Sequence, residues 1–431
     1  MPTNSPPADE LSRFSPVRSL GGYLATVGEF NRNVRLFLAV TAFRGLVIAS
    51  SQTVFNLYLF SLGYSTQFIG LITAVNAIAT LLVSVPLGYL ADRLGRRPIL
   101  LVGGVAYSLF TVGLSLAHST AFLLIFNFVL GGVSTAYWVA GVPLLFASTG
   151  ERERVHAFSV NSFLIWGLGP LGALLSGQIV EVVARVAHVS ASSAGALRAG
   201  MFFMAFLAAA GAVPYFFLHE APRAPAVSSA PQPAHSHLTR LFLQLLIPDL
   251  ILAFGLGSVL TFSQLYFHLR FHLDPGPVGI VVAVAGIASG IAALFTPVLA
   301  RRWGNLRTAV RAQWLAAPLI AVVALSTSLP VALPAYWLVL MLRGMADPVY
   351  TSFVQERVPD HLRARLTGMY SVTYSIGYSL GPAASGVLQS RGGFTPAFLM
   401  GAVTYFVGAT LLFVFFGRGV LRRHTTESGA T

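Results

Sequence analysis

The chain has 431 residues, of which 55% are hydrophobic and only 10% charged. Soluble domains carry about 25% charged residues, so this chain cannot cover a water-facing surface, which excludes an ordinary soluble enzyme and a disordered protein. Net charge is +13, all 27 basic residues are Arg, and Cys is absent; the Arg sit between apolar runs, which points to a membrane surface rather than nucleic acid, and disulfides and thiolate metal sites are ruled out.

Residues 1–35 lack the apolar core and cleavage site of a signal peptide, so they read as a cytoplasmic N-terminal tail, and insertion is expected to rest on the first long apolar segment. A membrane helix needs about 20 mostly apolar residues. Twelve segments qualify: 36–61, 68–90, 98–117, 121–147, 157–181, 199–218, 242–268, 277–300, 308–328, 333–355, 366–388 and 395–417. They predict an all-α integral membrane protein with an N-terminal six-helix bundle over 36–218, a C-terminal six-helix bundle over 242–417 and a tail at 418–431. Between the bundles, 219–241 is rich in Pro, Ala and Ser and reads as a flexible or extended cytoplasmic linker. Its His235 and His237 read as solvated spacers, and no metal site is expected. With the N-terminus inside, 21 Arg fall on the cytoplasmic side and 4 outside. This positive-inside bias predicts a multi-pass cell-membrane protein with both termini cytoplasmic.

Charges at membrane depth cost about 2.5–3.5 kcal/mol on the insertion scale and are functional by default. In the first span Arg44, Gln52 and Asn56 share one helix face, expected to turn toward a central cavity; snorkelling of Arg44 to the headgroups is the bland alternative. In the tenth span Arg343 and Asp347 are four residues apart and can pair. The pair either opens when a proton or an anionic substrate arrives, or is a fixed brace before Pro348. Asp249, after Pro248, reads as an interfacial cap rather than a proton carrier, and His268 and His272 as hydrated interfacial residues rather than a proton sensor or relay. Tyr370, Tyr374 and Tyr378 form a stripe in the eleventh span that either lines a cavity or packs in the core, beside a Ser371, Ser375 and Ser379 stripe suited to helix packing. Trp138, Asn161, Trp166 and Gln264 are weaker cavity candidates, and Gly169-Pro170 and Gly381-Pro382 are expected bends. Without Lys there is no P-loop, so ATP-driven transport by this chain is excluded, and no cluster of nucleophile and base marks an enzyme.

The halves repeat. Phe158–Pro170 reads FSVNSFLIWGLGP and Tyr370–Pro382 reads YSVTYSIGYSLGP; the second-to-third-span loops read LADRLGRR and LARRWGNLR. Six spans plus six, repeated, is a transporter arrangement that rocks about a midplane site. Gly88-Tyr-Leu-Ala-Asp92-Arg93-Leu-Gly95-Arg96-Arg97, with its degenerate copy at Leu299–Arg307, resembles the signature between helices two and three of the major facilitator superfamily, and the resemblance covers about residues 36–417. It implies a monomeric secondary transporter working by alternating access, with no cofactor. Gly88, Asp92, Arg93, Gly95, Arg96 and Arg97 would then gate the inner side. Asp92 would sit on the N-terminus of span eleven, and the Arg would pair with acids such as Glu151, Glu153 or Glu356, or simply bind anionic lipid.

Gly169-Pro170 resembles in part the antiporter signature of drug exporters, but Ile165, Ala173 and Leu174 stand where Gly is typical, and Asn127 replaces an expected Arg in span four. The expectation is ion-coupled efflux of drug-like or metabolite molecules, with organic-anion uptake or exchange as the alternative and a channel or scramblase behind both. Arg44, Gln52, Asn56, Arg343, Tyr374 and Tyr378 are the expected substrate contacts, and Asp347 the carrier if protons are the coupling ion.

Overall fold

A computed structural model describes residues 30–117, 119–219, 236–358 and 360–427. Most of the predicted tails and linker, with His235, lies outside the described residues. Helices α1 (Arg32–Ser61), α2 (Thr66–Leu94), α3 (Arg96–Leu116), α4 (Thr120–Ala147), α5 (Glu151–Ser162 continued by Gly169–Val186) and α6 (Ala194–Phe216) form the first half. The second comprises α7 (Arg240–Phe271), α8 (Pro275–Trp303), α9 (Asn305–Leu325), α10 (Leu329–Glu356), α11 (Asp360–Gly392) and α12 (Phe394–Glu427).

Short polar residues start these helices by satisfying the orphan amides of the first turn. Asn31 accepts from Val34 N at 3.0 Å, Ser65 from Phe68 N at 3.3 Å and Ser193 from Ala196 N at 3.3 Å. Between α2 and α3 the chain turns at Gly95, and between α8 and α9 at Gly304; their φ values, +97° and +81°, are ones that side chains resist. The sequence repeat is thus also a backbone repeat.

Packing repeats as well. In the first half α1 packs on α5 and α6, α2 on α4, and α3 on α4 and α6; in the second α7 packs on α11 and α12, α8 on α10, and α9 on α10 and α12. The halves join through the same two members of each set, α2 against α11 and α5 against α8. There the backbones nearly touch. A Cβ at Gly177 would come within 2.6 Å of Pro275 O, one at Gly279 within 2.6 Å of Ala173 O, and Gly70 and Gly386 face Pro382 O and Thr66 O. Small residues permit this approach where no water drives association. These contacts lie away from the Gly88–Arg97 and Leu299–Arg307 loops, hereafter the signature end.

The helices extend several residues beyond the predicted apolar segments. Eleven of the twelve described helices are long and apolar enough to cross a membrane. The exception, α11, has 33 residues but carries the Tyr and Ser stripes, which lower its hydropathy. It runs unbroken through Gly381-Pro382, whereas α5 widens into a π turn over Phe163–Gly167 just before Gly169-Pro170. A second π turn, Tyr137–Gly141, lies in α4, and α7 breaks between Leu260 and Ser263.

Candidate functional site

A cavity of about 300 Å³ opens between the halves, at the lower bound of drug-sized pockets. Its wall brings together Arg44, Gln52 and Asn56 of α1, Asn76 of α2, Asn127 of α4, Gln264 of α7 and Tyr378 of α11. Three carboxamides are already committed to backbone. Asn76 Nδ2 donates to Asn127 O at 3.0 Å, and Asn127 Nδ2 to Ile72 O at 2.7 Å, tying α2 to α4. Asn56 Nδ2 donates across the halves to Thr261 O, a carbonyl at the break in α7. A helix interrupted at a cavity exposes backbone acceptors to side chains and ligands. Gln52 is exposed in this wall.

Arg44 is the cation of this wall. Its Nη2 donates to Ser134 O at 3.3 Å, and its guanidinium stacks 4.5 Å from the Tyr137 ring and 5.7 Å from that of Trp138. Its Nε is buried with no hydrogen-bond partner among the described residues. Tyr137 is held in turn by Asn161, whose Oδ1 accepts from the Tyr137 hydroxyl at 2.8 Å and from Thr41 Oγ1 at 2.9 Å. Asn161 therefore braces α1, α4 and α5 rather than facing the cavity. Trp138 is half-exposed and Trp166 exposed, and neither belongs to the cavity wall.

The remaining predicted residues form a second cluster. Arg343 Nε lies 3.6 Å from Asp347 Oδ2, and the Asp347 side chain is 62% exposed. Tyr374 and Tyr378 stack, with ring centroids 5.7 Å apart and planes 15° from parallel. Arg343, Asp347 and Tyr374 do not line the 300 Å³ cavity; Tyr378 links the two groups. Within the Ser stripe, Ser375 Oγ donates to Ser371 O at 2.8 Å and Ser379 Oγ to Ser375 O at 2.5 Å, so both bond back to their own helix. Near the second cluster lies Asp249, which is not an interfacial cap. It lies within α7, nine residues after Arg240, packed inside the protein at 3% exposed. Tyr370 hydrogen-bonds to it, Asp347 is an electrostatic neighbour, and Oδ2 is buried without a partner among the described residues. His268 Nδ1 lies 2.7 Å from Leu273 O, so this ring closes the turn after α7.

At the signature end Gly88 faces α4, where a Cβ would meet Val139 Cγ1 at 3.4 Å. Asp92 and Arg93 are exposed, and the Arg93 guanidinium lies 4.4 Å from the Tyr89 ring centroid. Arg96 Nη1 donates to Pro143 O at 2.8 Å and Arg97 Nη2 to Phe216 O at 3.0 Å. Both pin the start of α3 to α4 and α6 of its own half. The side chains of Glu151 and Glu153, and most of those opening α11, lie outside the described residues. Glu356 Oε1 accepts from Asn305 Nδ2 at 2.8 Å within the second half. At the opposite end Glu181 of α5 reaches across the halves, its Oε1 accepting from Gly276 N at 3.4 Å on the first turn of α8. The sequence alone does not single out Asn76 and Glu181, because their value lies in what another helix brings to them.

Two bundles of like packing, joined by their second and fifth helices around a polar cavity, define a multi-pass membrane transporter. The chain is 25% identical over 356 residues to quinolone resistance protein NorA of Staphylococcus aureus (strain MRSA252), covering 80% of this chain and 85% of that protein. It is 24% identical over 363 residues to multidrug resistance protein 1 of Bacillus subtilis (strain 168), covering 82% and 87%. The crystal structure of a point mutant of the nucleoside transporter NupG superposes with a TM-score of 0.71 at 16% identity, covering 89% of this chain and 100% of that one. The chain belongs to the Major Facilitator Superfamily, which it matches over residues 36–382 and again over 270–430.

Proposed function

We propose that this chain is an ion-coupled exporter of amphiphilic, drug-like molecules in the cell membrane, a transporter and not an enzyme. The observation that carries this reading is the 300 Å³ cavity shared by both halves, lined by carboxamides and the aromatic rings of Phe55, Tyr107 and Tyr378. Such a wall recognises varied solutes by hydrogen bonds and stacking rather than by one fixed charge pattern. The drug-resistance relatives favour export over uptake. Arg44, Gln52, Asn56 and Tyr378 would contact the solute first, with Tyr374 and Arg343 behind Tyr378. The Arg distribution favours a cytoplasmic signature end and cytoplasmic termini.

In this reading Asp347 carries the coupling proton. Ionised, it pairs with Arg343; protonated, it releases that cation, so proton arrival changes the charge beside the Tyr374–Tyr378 stack. Asp249, buried among Tyr370 and Asp347, is a second proton site by its location, since acids at membrane depth serve proton paths by default. Asp92 and its neighbouring Arg would close the signature end when Glu181 lets go of α8 at the other. The chain would act as a monomer, with lipid around it.

The test is expression in a bacterial host stripped of its own exporters, with efflux of a fluorescent lipophilic cation such as ethidium followed in cells and inverted vesicles. Export that collapses with a protonophore supports the reading. Solute entry unaffected by the proton gradient, or conductance that does not saturate, overturns it. Counterflow of a labelled organic acid, abolished by both Arg44→Ala and Arg343→Ala, would instead favour anion exchange.

A further inference from the structure

Arg44 also lines a second space. This pocket lies inside the first bundle, between α1, α3, α4 and α6, and measures about 70 Å³. One buried water needs roughly 10–15 Å³, so a body of several heavy atoms fits and a long acyl chain does not. Its walls are mostly apolar, with Val47, Leu100, Leu207 and Ala208 among them, beside Ser134, Tyr137 and Tyr215. Arg44, Ile48, Tyr107 and Ser134 line both this pocket and the central cavity. The guanidinium therefore stands at the partition between two spaces.

Among the described residues no Asp or Glu lines either space. The guanidinium rests on two aromatic rings and one carbonyl, and its Nε is buried without a hydrogen-bond partner. A membrane-depth cation lacking a counter-charge is costly, and guanidinium is shaped to take a carboxylate along one edge. An apolar chamber ending in such an edge has the chemistry to hold an anion with a greasy body.

We propose that this pocket is a separate site for a small hydrophobic monocarboxylate, aromatic or short-chain, whose carboxylate pairs with Arg44 and whose body fills the space among α1, α3, α4 and α6. Its occupancy screens the cationic wall of the central cavity, so a cationic solute binds there more tightly. The effect on the cationic solute rests on the proposed transport; the binding of the carboxylate does not.

The experiment uses the purified full chain in detergent and sulfate buffer, titrated with benzoate and hexanoate against benzyl alcohol and hexanol. Thermal shift and Trp fluorescence are the readouts, since Trp138 stands 5.7 Å from the Arg44 guanidinium. The acids should raise the melting temperature saturably, the alcohols should not, and Arg44→Gln should abolish the effect. Ala208→Leu fills the pocket and keeps Arg44; it should weaken benzoate by about tenfold or more, a loss of fit worth about 1.4 kcal/mol at the least, while leaving ethidium binding unchanged. Should that variant fail to fold, Ala208→Val replaces it. With the wild type reconstituted, benzoate should lower the KM for ethidium about threefold through charge screening, and the filled variant should lose this response. Equal responses to acid and alcohol, competition between benzoate and ethidium, or full benzoate binding to the filled variant would overturn the site. Displacement of benzoate by octadecanoate would overturn the short-bodied occupant in favour of a membrane fatty acid. If ethidium is not transported while benzoate still binds as described, the exporter reading fails and the site stands.

Discussion

In α1, Arg44 lies over Tyr137 and Trp138 with no acid among the described residues of its cavity wall, whereas in α10 Arg343 stands one turn from Asp347, with buried Asp249 close by. The two halves share one packing scheme and hold these membrane-depth arginines in opposite ways. The contrast separates two tasks that a symmetric scaffold would otherwise mix. In the proposed reading, one wall offers amides, rings and a cation to a solute, and the other offers carboxylates that would exchange protons. Rocking one half against the other would then link the two.

The largest expected effect tests the acidic half. Asp347→Asn and Asp249→Asn should each cut gradient-driven efflux by about 100-fold or more, on the scale of losing an essential proton-transfer group, while gradient-independent binding of ethidium persists. Efflux at wild-type rate in either variant would break the proposed division of labour. Next comes the bond between Asn56 and the broken α7. Asn56→Ala removes a cross-half hydrogen bond worth about 1 kcal/mol, so the population closed at the Glu181 end should fall about fivefold relative to the other state. Spin labels on paired cysteines report this directly, in a chain whose native sequence has no Cys. An unchanged distance distribution would leave Asn56 as a cavity residue alone.

Smaller still is the effect on binding of Tyr378→Leu, which forfeits stacking worth about 0.5–1.5 kcal/mol. The KM for an aromatic solute should rise about two- to tenfold with kcat little changed, and an unaltered KM would move the solute away from α11. The smallest effect concerns stability. Asp347's side chain is 62% exposed, so its pair with Arg343 contributes about 1 kcal/mol or less. The double variant Arg343→Gln with Asp347→Asn should therefore melt within a few degrees of the wild type while failing to export. A collapse in melting temperature would recast the pair as a structural brace.

Much of this was legible in the sequence. Span lengths, the recurring Gly-Pro segments and the Gly88–Arg97 signature follow from apolar run length and backbone demands that act locally. Arg44, Gln52 and Asn56 reach one wall because helical periodicity places them on one face. Other features were hidden because they depend on partners. Nothing in Leu260–Ser263 reads as a helix breaker, yet α7 opens there and Asn56 takes its carbonyl. Asp249 sits beside Pro248 early in an apolar run, and only the packing of α7 against Tyr370 and the Asp347 region shows it to be buried. The pocket inside the first bundle is assembled from Arg44, tyrosines and apolar residues of four helices that no single window of sequence contains.

The seam between the halves, at Gly70, Gly177, Gly279 and Gly386, has a mechanical consequence. Main chain rests on main chain there, so apart from Glu181, Asn56 and Thr66 few side chains must rotate or shed water before the surfaces part. Separation forfeits dispersion contacts that are individually tiny, and added electrolyte has little there to screen. A closure of this kind should lower the barrier between states as well as their difference, and the expected outcome is turnover nearly indifferent to ionic strength.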